Sequence, residues 1–186
     1  MITVRAATAA DEARWRELWA GYNAFYEAHV PESITQATWR RILDPTVPIL
    51  GRVAEADGRL VGFSNSVLHE STWAAAPICY LEDLFVDPAV RGTGVGRRLL
   101  EDLVELARQR GWPTLYWHTR GNNATARRLY DTFTPADDFV RYVVTPTDRQ
   151  RVMKLSARNT LSGVLTTATA TSISETDKTD NHPGRP

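Results

Sequence analysis

The sequence between positions 78 and 96 reads ICYLEDLFVDPAVRGTGVG. Its first half is a run of apolar and aromatic residues typical of a β-strand, and the pair Asp87-Pro88 ends that run. Its second half is a glycine-rich turn. The apolar positions that follow recur at helical spacing until Gly111: Val95, Leu99, Leu103, Leu106 and Ala107. This part of the chain therefore predicts a strand, a glycine loop and a helix in direct succession.

The chain on both sides of this unit predicts further strands and helices. Strands are predicted at 2–5, 49–56, 60–68, 114–119 and 139–145, and Asp57-Gly58 is a strong hairpin signal between the second and third of them. A helix carries Trp15, Leu18, Trp19, Tyr22, Phe25 and Tyr26, after the approximate capping box Thr8–Asp11. A second helix begins after Pro31, with Ser33 as N-cap, and another is predicted at 122–133. This order predicts an α/β fold with a mixed sheet.

Composition divides the chain into a domain at 1–150 and a tail at 151–186. The tail is rich in Ser and Thr and holds no aromatic residue. Such a segment buries too little apolar surface to offset the entropy of ordering it, so we expect it to be disordered. The alternative is a loosely attached terminal strand at about 162–165.

Charge and cysteine content exclude several classes of protein. Lys plus Arg and Asp plus Glu number 22 each, which argues against a protein that holds nucleic acid by bulk charge. The single cysteine, Cys79, excludes an intrachain disulfide and a multi-cysteine zinc site. No cluster has metal-ligand spacing, and no signal peptide or membrane-spanning apolar run is visible. We therefore expect a cytoplasmic protein without a membrane or nucleic-acid partner.

The glycine loop suits the binding of phosphate groups. Its backbone N–H groups and the positive end of the following helix dipole favour an anion. Two common phosphate loops do not fit, because Gly96 is followed by Arg97-Arg98 rather than Lys-Ser/Thr, and a dinucleotide fingerprint requires glycine where Arg97 stands. A helix start that is glycine-rich without a ligand is the other interpretation, although each glycine lowers local stability.

Three motifs resemble the GCN5-related N-acetyltransferases (the GNAT family). Arg91-Gly92-Thr93-Gly94-Val95-Gly96 resembles the loop of that family that binds the pyrophosphate of acetyl-CoA. The segment from Tyr80 to Pro88 resembles its central strand, and Asn123-x-x-Ala126-x-x-Leu129-Tyr130 resembles its later helix. The motifs occur in the family's order, and the resemblance covers roughly residues 2–145. The sequence of the strand segment is most similar to that of the polyamine and Hpa2-like branch of the family.

The resemblance implies a fold, a reaction and a binding site. The fold is a central mixed, mostly antiparallel sheet flanked by helices. The reaction transfers the acetyl group of acetyl-CoA to a primary amine of a small, polyamine-like molecule or of a protein. The loop 91–96 would hold the co-substrate, together with the strand segment Leu84, Phe85 and Val86, whose backbone supplies an N–H to the thioester oxygen, and with Asn123 and Tyr130. Many family members are homodimers, so a dimer is compatible with it.

Two residues are candidates for proton transfer. Tyr130 matches the family tyrosine whose hydroxyl lies near the CoA sulfur, so it is the candidate acid; the alternative is a core aromatic residue. Glu82 is the candidate base through a water molecule, because strand alternation places Tyr80, Glu82 and Leu84 on one face and Asp83 on the other. Other candidates for the base are Asp83, His118 and His69.

The sequence contains few indications of where the amine acceptor binds. Glu27, Glu32 and Glu70 could attract a cationic amine, or they could be ordinary surface charges. The family branch has Gly-Phe soon after the Leu-Tyr helix, whereas residues 133–139 contain no glycine, so one wall of the acceptor site is expected to differ. A non-catalytic acyl-CoA-binding sensor is the alternative function. It would need the glycine loop but not Tyr130 and Glu82, so the presence of both favours an enzyme.

Overall fold

The structure is a computed structural model that describes residues 1–146. The predicted tail at 151–186 and the last residues of the predicted domain, 147–150, lie outside the described residues. Residues 1–136 form one compact unit, and 137–146 belong to a second unit. No helix within residues 1–146 is long and apolar enough to cross a membrane.

Five strands and four α-helices make up the first unit. In chain order they are β1 (Ile2–Ala6), α1 (Glu12–Tyr26), α2 (Glu32–Leu43), β2 (Ile49–Ala56), β3 (Arg59–His69), β4 (Ile78–Val86), α3 (Val95–Arg110), β5 (Leu115–Trp117) and α4 (Ala124–Tyr130). Short 3₁₀ turns at Ala9–Asp11 and Pro88–Val90 precede α1 and the glycine loop.

The five strands form one sheet in the order β1-β2-β3-β4-β5. The pairs β1–β2, β2–β3 and β3–β4 are antiparallel, and β4–β5 is parallel. Asp57 and Gly58 both have positive φ, 51° and 75°, which is the geometry of a tight hairpin turn whose twist matches the strands. The prediction of a mixed, mostly antiparallel sheet is therefore confirmed.

Each face of the sheet carries its own hydrophobic core. On one face α1 and α2 pack their tryptophans against the sheet, and the cluster contains Trp15, Trp19, Trp39, Phe63 and Phe85. On the other face α3 buries Val95, Leu99, Leu100 and Leu103, which contact residues of the inner strands. Two helical layers thus enclose the sheet, because α3 and α1 each present an apolar stripe to it.

The start of the fold is fixed by the predicted capping box. The backbone N–H and the hydroxyl of Thr8 both donate to the Asp11 carboxylate, at 2.7 and 2.9 Å. The Arg5 guanidinium donates to both oxygens of the same carboxylate and lowers the pKa of Asp11 to about 2. This contact ties β1 to the turn that begins α1.

The predicted cap of α2 is wrong by two residues. Pro31, rather than Ser33, is the N-cap, and its carbonyl accepts hydrogen bonds from the N–H groups of Ile34 and Thr35. Pro31 has φ of −58°, so its ring already holds the angle that the chain needs on entering a helix. Ser33 consequently lies inside the first turn.

Three predicted elements near the end of the described chain differ in length or are absent. The strand predicted at 114–119 is reduced to β5, because it pairs with β4 over three residues only. The helix predicted at 122–133 is reduced to α4, and turn hydrogen bonds follow it. The strand predicted at 139–145 is not present: Phe139 and Tyr142 are exposed, and no ladder is formed there within the described residues. Apolar, β-branched composition favours a strand only where a partner strand is available.

Candidate active site

The central strand β4 contains a bulge at Glu82. Asp83 pairs with Asn65 and Leu81 pairs with Ser66, so Glu82 has no partner residue on β3. Leu81 and Leu84 consequently pack into the same cluster on the α3 face, and the strict alternation predicted for this strand is wrong. The bulge leaves Glu82 exposed and Asp83 buried, with 8% of Asp83 accessible. The two adjacent acids therefore have different environments, one open to solvent and one buried.

Asp83 lies in a small polar cluster beneath α1. The amide Nδ2 of Asn65 donates to the Asp83 carboxylate at 3.0 Å, and the Tyr22 hydroxyl also donates to it. Burial raises the pKa of Asp83 to about 6, and the neighbouring Glu82 adds to the increase, while the two hydrogen bonds oppose it. Burial and Asp83 likewise raise the pKa of Tyr22, so this phenol stays protonated and acts as a donor. Sequence spacing gave no indication that Tyr22 and Asn65 belong to this cluster.

Replacing Asp83 by Asn should change the pH dependence of stability. The raised pKa means that the protonated carboxyl stabilises the fold below about pH 4, and that this contribution is lost as the pH rises through about 6. Between pH 4 and pH 7 we expect the free energy of unfolding of the wild type to fall by about 3 kcal/mol relative to Asp83→Asn. Urea unfolding at several pH values measures this. Asp131→Asn, at an exposed carboxylate after α4, is the control. Parallel curves for Asp83→Asn and the wild type would contradict the raised pKa.

An opening forms where β5 stops alongside β4. The pairs Cys79–Leu115, Tyr80–Tyr116 and Leu81–Trp117 form the whole parallel ladder, whereas β4 continues to Val86. On this edge the backbone of Leu84, Phe85 and Val86 has no partner strand within residues 1–146. Apart from the Val86 carbonyl, which accepts from Arg91, peptide groups that face such an edge are available to an extended ligand that takes the place of the missing strand.

Tyr130 lies beside the last rung of this ladder. Its ring meets that of Trp117 with centroids 5.4 Å apart, and it packs against the α3 cluster that contains Leu103. Burial raises the pKa of Tyr130 to about 12, and Tyr26 adds to the increase. The side chain is thus both a core aromatic residue and a phenol that stays protonated over the physiological range. Tyr26 is a neighbour that the sequence did not indicate.

The glycine loop follows β4 after the short 3₁₀ turn at Pro88–Val90. Gly92 and Gly94 have positive φ, 83° and 95°, and Gly94 is the N-cap of α3. A Cβ on Gly96 would lie 3.2 Å from Leu129, so this glycine allows α3 to approach α4 closely. Because the first N–H groups of a helix have no partner within the helix, the loop presents them outward.

The other loop residues have mainly structural side-chain contacts. Val95 is buried in a separate cluster with Leu99 and Val61, so only its backbone can reach a ligand. The Thr93 hydroxyl donates to the carbonyl of Val90 at 2.7 Å. The Arg91 guanidinium donates to the carbonyl of Val86 at 3.2 Å and lies 5.4 Å from the centre of the Phe85 ring. These contacts fix the loop to the end of β4.

Asn123 is the N-cap of α4. Its side-chain oxygen accepts from the N–H of Ala126 at 3.3 Å, and its Nδ2 donates to the Thr119 hydroxyl at 3.2 Å. The residue therefore has the capping role that its position predicts. Its contact with a ligand stays a prediction.

The candidate acceptor residues are distributed over the α1 face and its surroundings. Glu32 forms an ion pair with Arg16 at 2.7 Å, and Glu27 is the residue that ends α1 with a positive φ of 54°. The carbonyl of Glu70 accepts a hydrogen bond from His69. The structure does not gather these three carboxylates into one cluster among the described residues.

Arg120, which the sequence did not single out, donates to the carbonyl of Tyr26 at 3.2 Å and joins the loop after β5 to the end of α1.

Comparison with known proteins agrees with this geometry. Residues 13–133 match the Acetyltransferase (GNAT) family. D-amino-acid N-acetyltransferase HPA3 of Saccharomyces cerevisiae is 34% identical over 143 residues, which are 76% of this chain and 89% of the relative. Aminoglycoside N(6')-acetyltransferase type 1 of Stenotrophomonas maltophilia is 34% identical over 132 residues, 69% of this chain and 82% of the relative.

Solved structures share the fold. A probable acetyltransferase superposes with a TM-score of 0.69 at 22% identity and covers 80% of this chain and 99% of its own. The ribosomal-protein-alanine N-acetyltransferase of Brucella melitensis biovar Abortus 2308 has a TM-score of 0.66 at 20% identity, with 78% and 99% covered. The match to HPA3 is consistent with the Hpa2-like branch. The bulged strand, the opening beside it and the glycine loop are therefore those of a member of the GNAT family, and the chain is an acetyl-CoA-dependent acetyltransferase.

Proposed function

We propose that this acetyltransferase transfers the acetyl group of acetyl-CoA to the primary amine of a small molecule. The observation that carries the proposal is the opening between β4 and β5, with Glu82 directly after its last rung and Tyr130 beside that rung. Acetyl-CoA supplies an activated thioester there. Chain residues must then bind it, accept a proton from the amine and donate one to the departing sulfur.

The chain offers a fitting site for the co-substrate. The N–H groups of the loop 91–96 lie at the N-terminus of α3, where the helix dipole favours pyrophosphate. The open edge at Leu84, Phe85 and Val86 suits the amide groups of an extended pantetheine arm. Asn123, at the start of α4, is proposed to bond that arm as well.

Glu82 and Tyr130 are proposed to divide the proton transfers. An alkyl amine is mostly protonated at pH 7, so Glu82, acting through water, accepts a proton before the nitrogen attacks. A backbone N–H of the segment 84–86 donates to the carbonyl oxygen that gains charge. Tyr130, kept protonated by burial, donates to the sulfur as the carbon–sulfur bond breaks.

The relatives favour a small-molecule acceptor. HPA3 and the aminoglycoside enzyme, each 34% identical to this chain, are named for small amine acceptors. A relative named for a ribosomal protein is 37% identical over only 79 residues, which are 41% of this chain, and a solved structure named for one is 20% identical and supports the fold alone. A polyamine-like amine and a protein amine are the other acceptors that the test must include.

An acetyl-CoA turnover assay against a panel of amines tests the proposal. The panel contains L- and D-amino acids, arylalkyl amines, a polyamine, an aminoglycoside and a peptide with a free N-terminus. We expect amine-dependent release of free thiol with at least one small molecule. Release with the peptide alone would overturn the small-molecule acceptor, and binding of acetyl-CoA without release with any amine would favour an acyl-CoA sensor.

Glu82→Gln should slow the reaction most at low pH. At pH 7 we expect a decrease smaller than about 10²-fold, since an exposed base that works through water is partly replaced by solvent. The rate should recover at high pH, where the amine is already neutral. Full pH–rate profiles measure this. Glu101→Gln in α3 makes the same substitution at another position and is the control. A profile parallel to that of the wild type would remove Glu82 as the base and favour Asp83 or His118.

A further inference from the structure

Four ring side chains cluster outside the proton-transfer residues. His69 ends β3, Tyr80 lies on β4, Tyr116 lies on β5, and His118 directly follows β5. Tyr80 and Tyr116 stack with centroids 5.1 Å apart, and His118 lies 5.3 Å from Tyr80 and 5.7 Å from Tyr116. His69 meets Tyr116 edge-on at 6.0 Å. We call these four residues the aromatic platform. The proton-transfer mechanism uses none of them.

The aromatic platform lies on the face of the sheet opposite α3. Leu81, Leu115 and Trp117 pack into the α3 cluster, so Tyr80 and Tyr116, which alternate with them, point to the other face. That face also carries Asp83 beneath Tyr22 of α1. The platform therefore shares a face with the buried acid and adjoins the opening between β4 and β5.

A hydrogen bond holds the Tyr116 ring in place. His69 Nδ1 is 2.9 Å from the carbonyl of Glu70, and His69 Nε2 is 2.9 Å from the Tyr116 hydroxyl. Because a carbonyl can only accept, Nδ1 of the neutral imidazole carries the proton, and Nε2 accepts from Tyr116. The burial that raises the pKa of Tyr116 keeps its phenol a donor. A ring fixed in this way is a rigid surface for a ligand.

We infer that the aromatic platform selects acceptors that carry an aromatic ring close to the reacting amine, such as an arylalkyl amine or an aromatic amino acid. Glu82 follows Tyr80 by two residues on β4, and the bulge makes the chain between them less extended than a regular strand, so the two Cα atoms lie no more than about 7 Å apart. A ring joined to an amine through two carbons spans a similar length, so its amine would reach Glu82 while its ring packs on the platform. Offset or edge-on ring pairs of this kind are favourable beyond their buried area.

The charge of the platform argues against a polycationic acceptor at this place. It consists of two phenols and two imidazoles, and none of its four side chains is a carboxylate. A polyamine would need carboxylates along its length, and of the candidate acceptor carboxylates Glu32 is already paired with Arg16. This inference rests on the proposed function, because it names the acceptor class of the same site.

The test compares two matched acceptors, phenethylamine and propylamine, as a ratio of kcat/KM. We expect the wild type to prefer phenethylamine by at least about tenfold, the size of one good ring contact. His118→Ala should lower that ratio about tenfold, whereas His118→Phe keeps a ring and should retain it. His118 is exposed, so neither exchange disturbs the core. Trp73→Ala removes an aromatic ring that is 91% exposed in the loop before β4, and it is the control.

Binding provides a second measurement that does not depend on turnover. Saturation-transfer NMR of phenethylamine with the full chain and CoA should show contact of the aromatic protons, and Tyr116→Leu should weaken it. Tyr116→Phe keeps the ring and loses only the bond to His69, so the contact should persist.

The outcomes separate this inference from the proposed function. An enzyme that releases thiol but uses propylamine or a polyamine as well as phenethylamine would overturn the aromatic platform and leave the acetyltransferase proposal intact. Absence of thiol release with every amine would instead overturn the proposed function. Loss of turnover in His118→Phe with an unchanged NMR contact would identify His118 as a base rather than a ring contact, and would also overturn its role in the platform.

Discussion

Tyr130→Phe should lower turnover by roughly 10²-fold, the low end of the range for general acid–base groups. The exchange removes one hydroxyl and keeps the ring that packs on Trp117 at 5.4 Å, so the fold and the affinity for CoA should change little. Burial holds the pKa of Tyr130 at about 12, so the decrease should be constant from pH 6 to pH 9. Steady-state kinetics with calorimetric titration of CoA measure both effects.

The control for this variant is Tyr142→Phe. Tyr142 is 90% exposed, so removal of its hydroxyl tests the chemical change without the partly buried environment of Tyr130. Turnover of this control should match that of the wild type. If Tyr130→Phe also turned over normally, Tyr130 would be a core aromatic residue only, and the sulfur would take its proton from solvent.

Gly94→Val should abolish measurable CoA binding or weaken it by more than about tenfold, since a side chain there would strain the backbone and block close approach of the pyrophosphate. Gly94 has φ of 95°, a conformation that side chains with a branched Cβ rarely adopt. Apart from the adjoining residues Thr93 and Val95, no described residue lies within 4 Å of a Cβ built on Gly94, so a ligand can approach the backbone there and a valine side chain would stand in its way. Calorimetry of CoA binding measures the loss.

Gly111→Val separates backbone strain from ligand blockage. Gly111 ends the same helix with φ of 68°, and a Cβ built there likewise meets no described residue within 4 Å beyond its chain neighbours. We expect this variant to lose thermal stability through backbone strain but to bind CoA with wild-type affinity. Equal CoA affinity in Gly94→Val and the wild type would contradict the assignment of the pyrophosphate to the loop 91–96.

Most elements of the fold follow from local patterns in the sequence. The Asp57-Gly58 turn, the capping box at Thr8 and the glycine that ends α3 each depend on a few neighbouring residues, so the local sequence predicts them. The strand predicted at 139–145 shows the limit of this reasoning. Its composition favours a strand, but a strand forms only with a partner, and a partner is a property of the tertiary structure.

In the candidate site, too, some features follow from local sequence and others depend on the tertiary structure. The glycine loop is indicated by the spacing of its glycines, whereas the roles of Tyr130 and Glu82 stay predictions that rest on the resemblance of short motifs to the GNAT family. The bulge at Glu82 was not indicated by the sequence, since it depends on the register between β3 and β4, where Asp83 pairs with Asn65 and Leu81 with Ser66. That register makes Glu82 exposed and Asp83 buried, and alternation alone could not predict it.

Contacts between distant segments account for the remainder. Tyr22 and Asn65 meet Asp83, and His69 meets Tyr116, across separations of many residues for which the sequence carries no signal. The sequence therefore defined the family, the order of the elements and the residues available for chemistry. The environment of each of those residues was decided by strand register and helix packing, because burial, hydrogen bonding and the resulting pKa depend on neighbours that only the folded chain brings together.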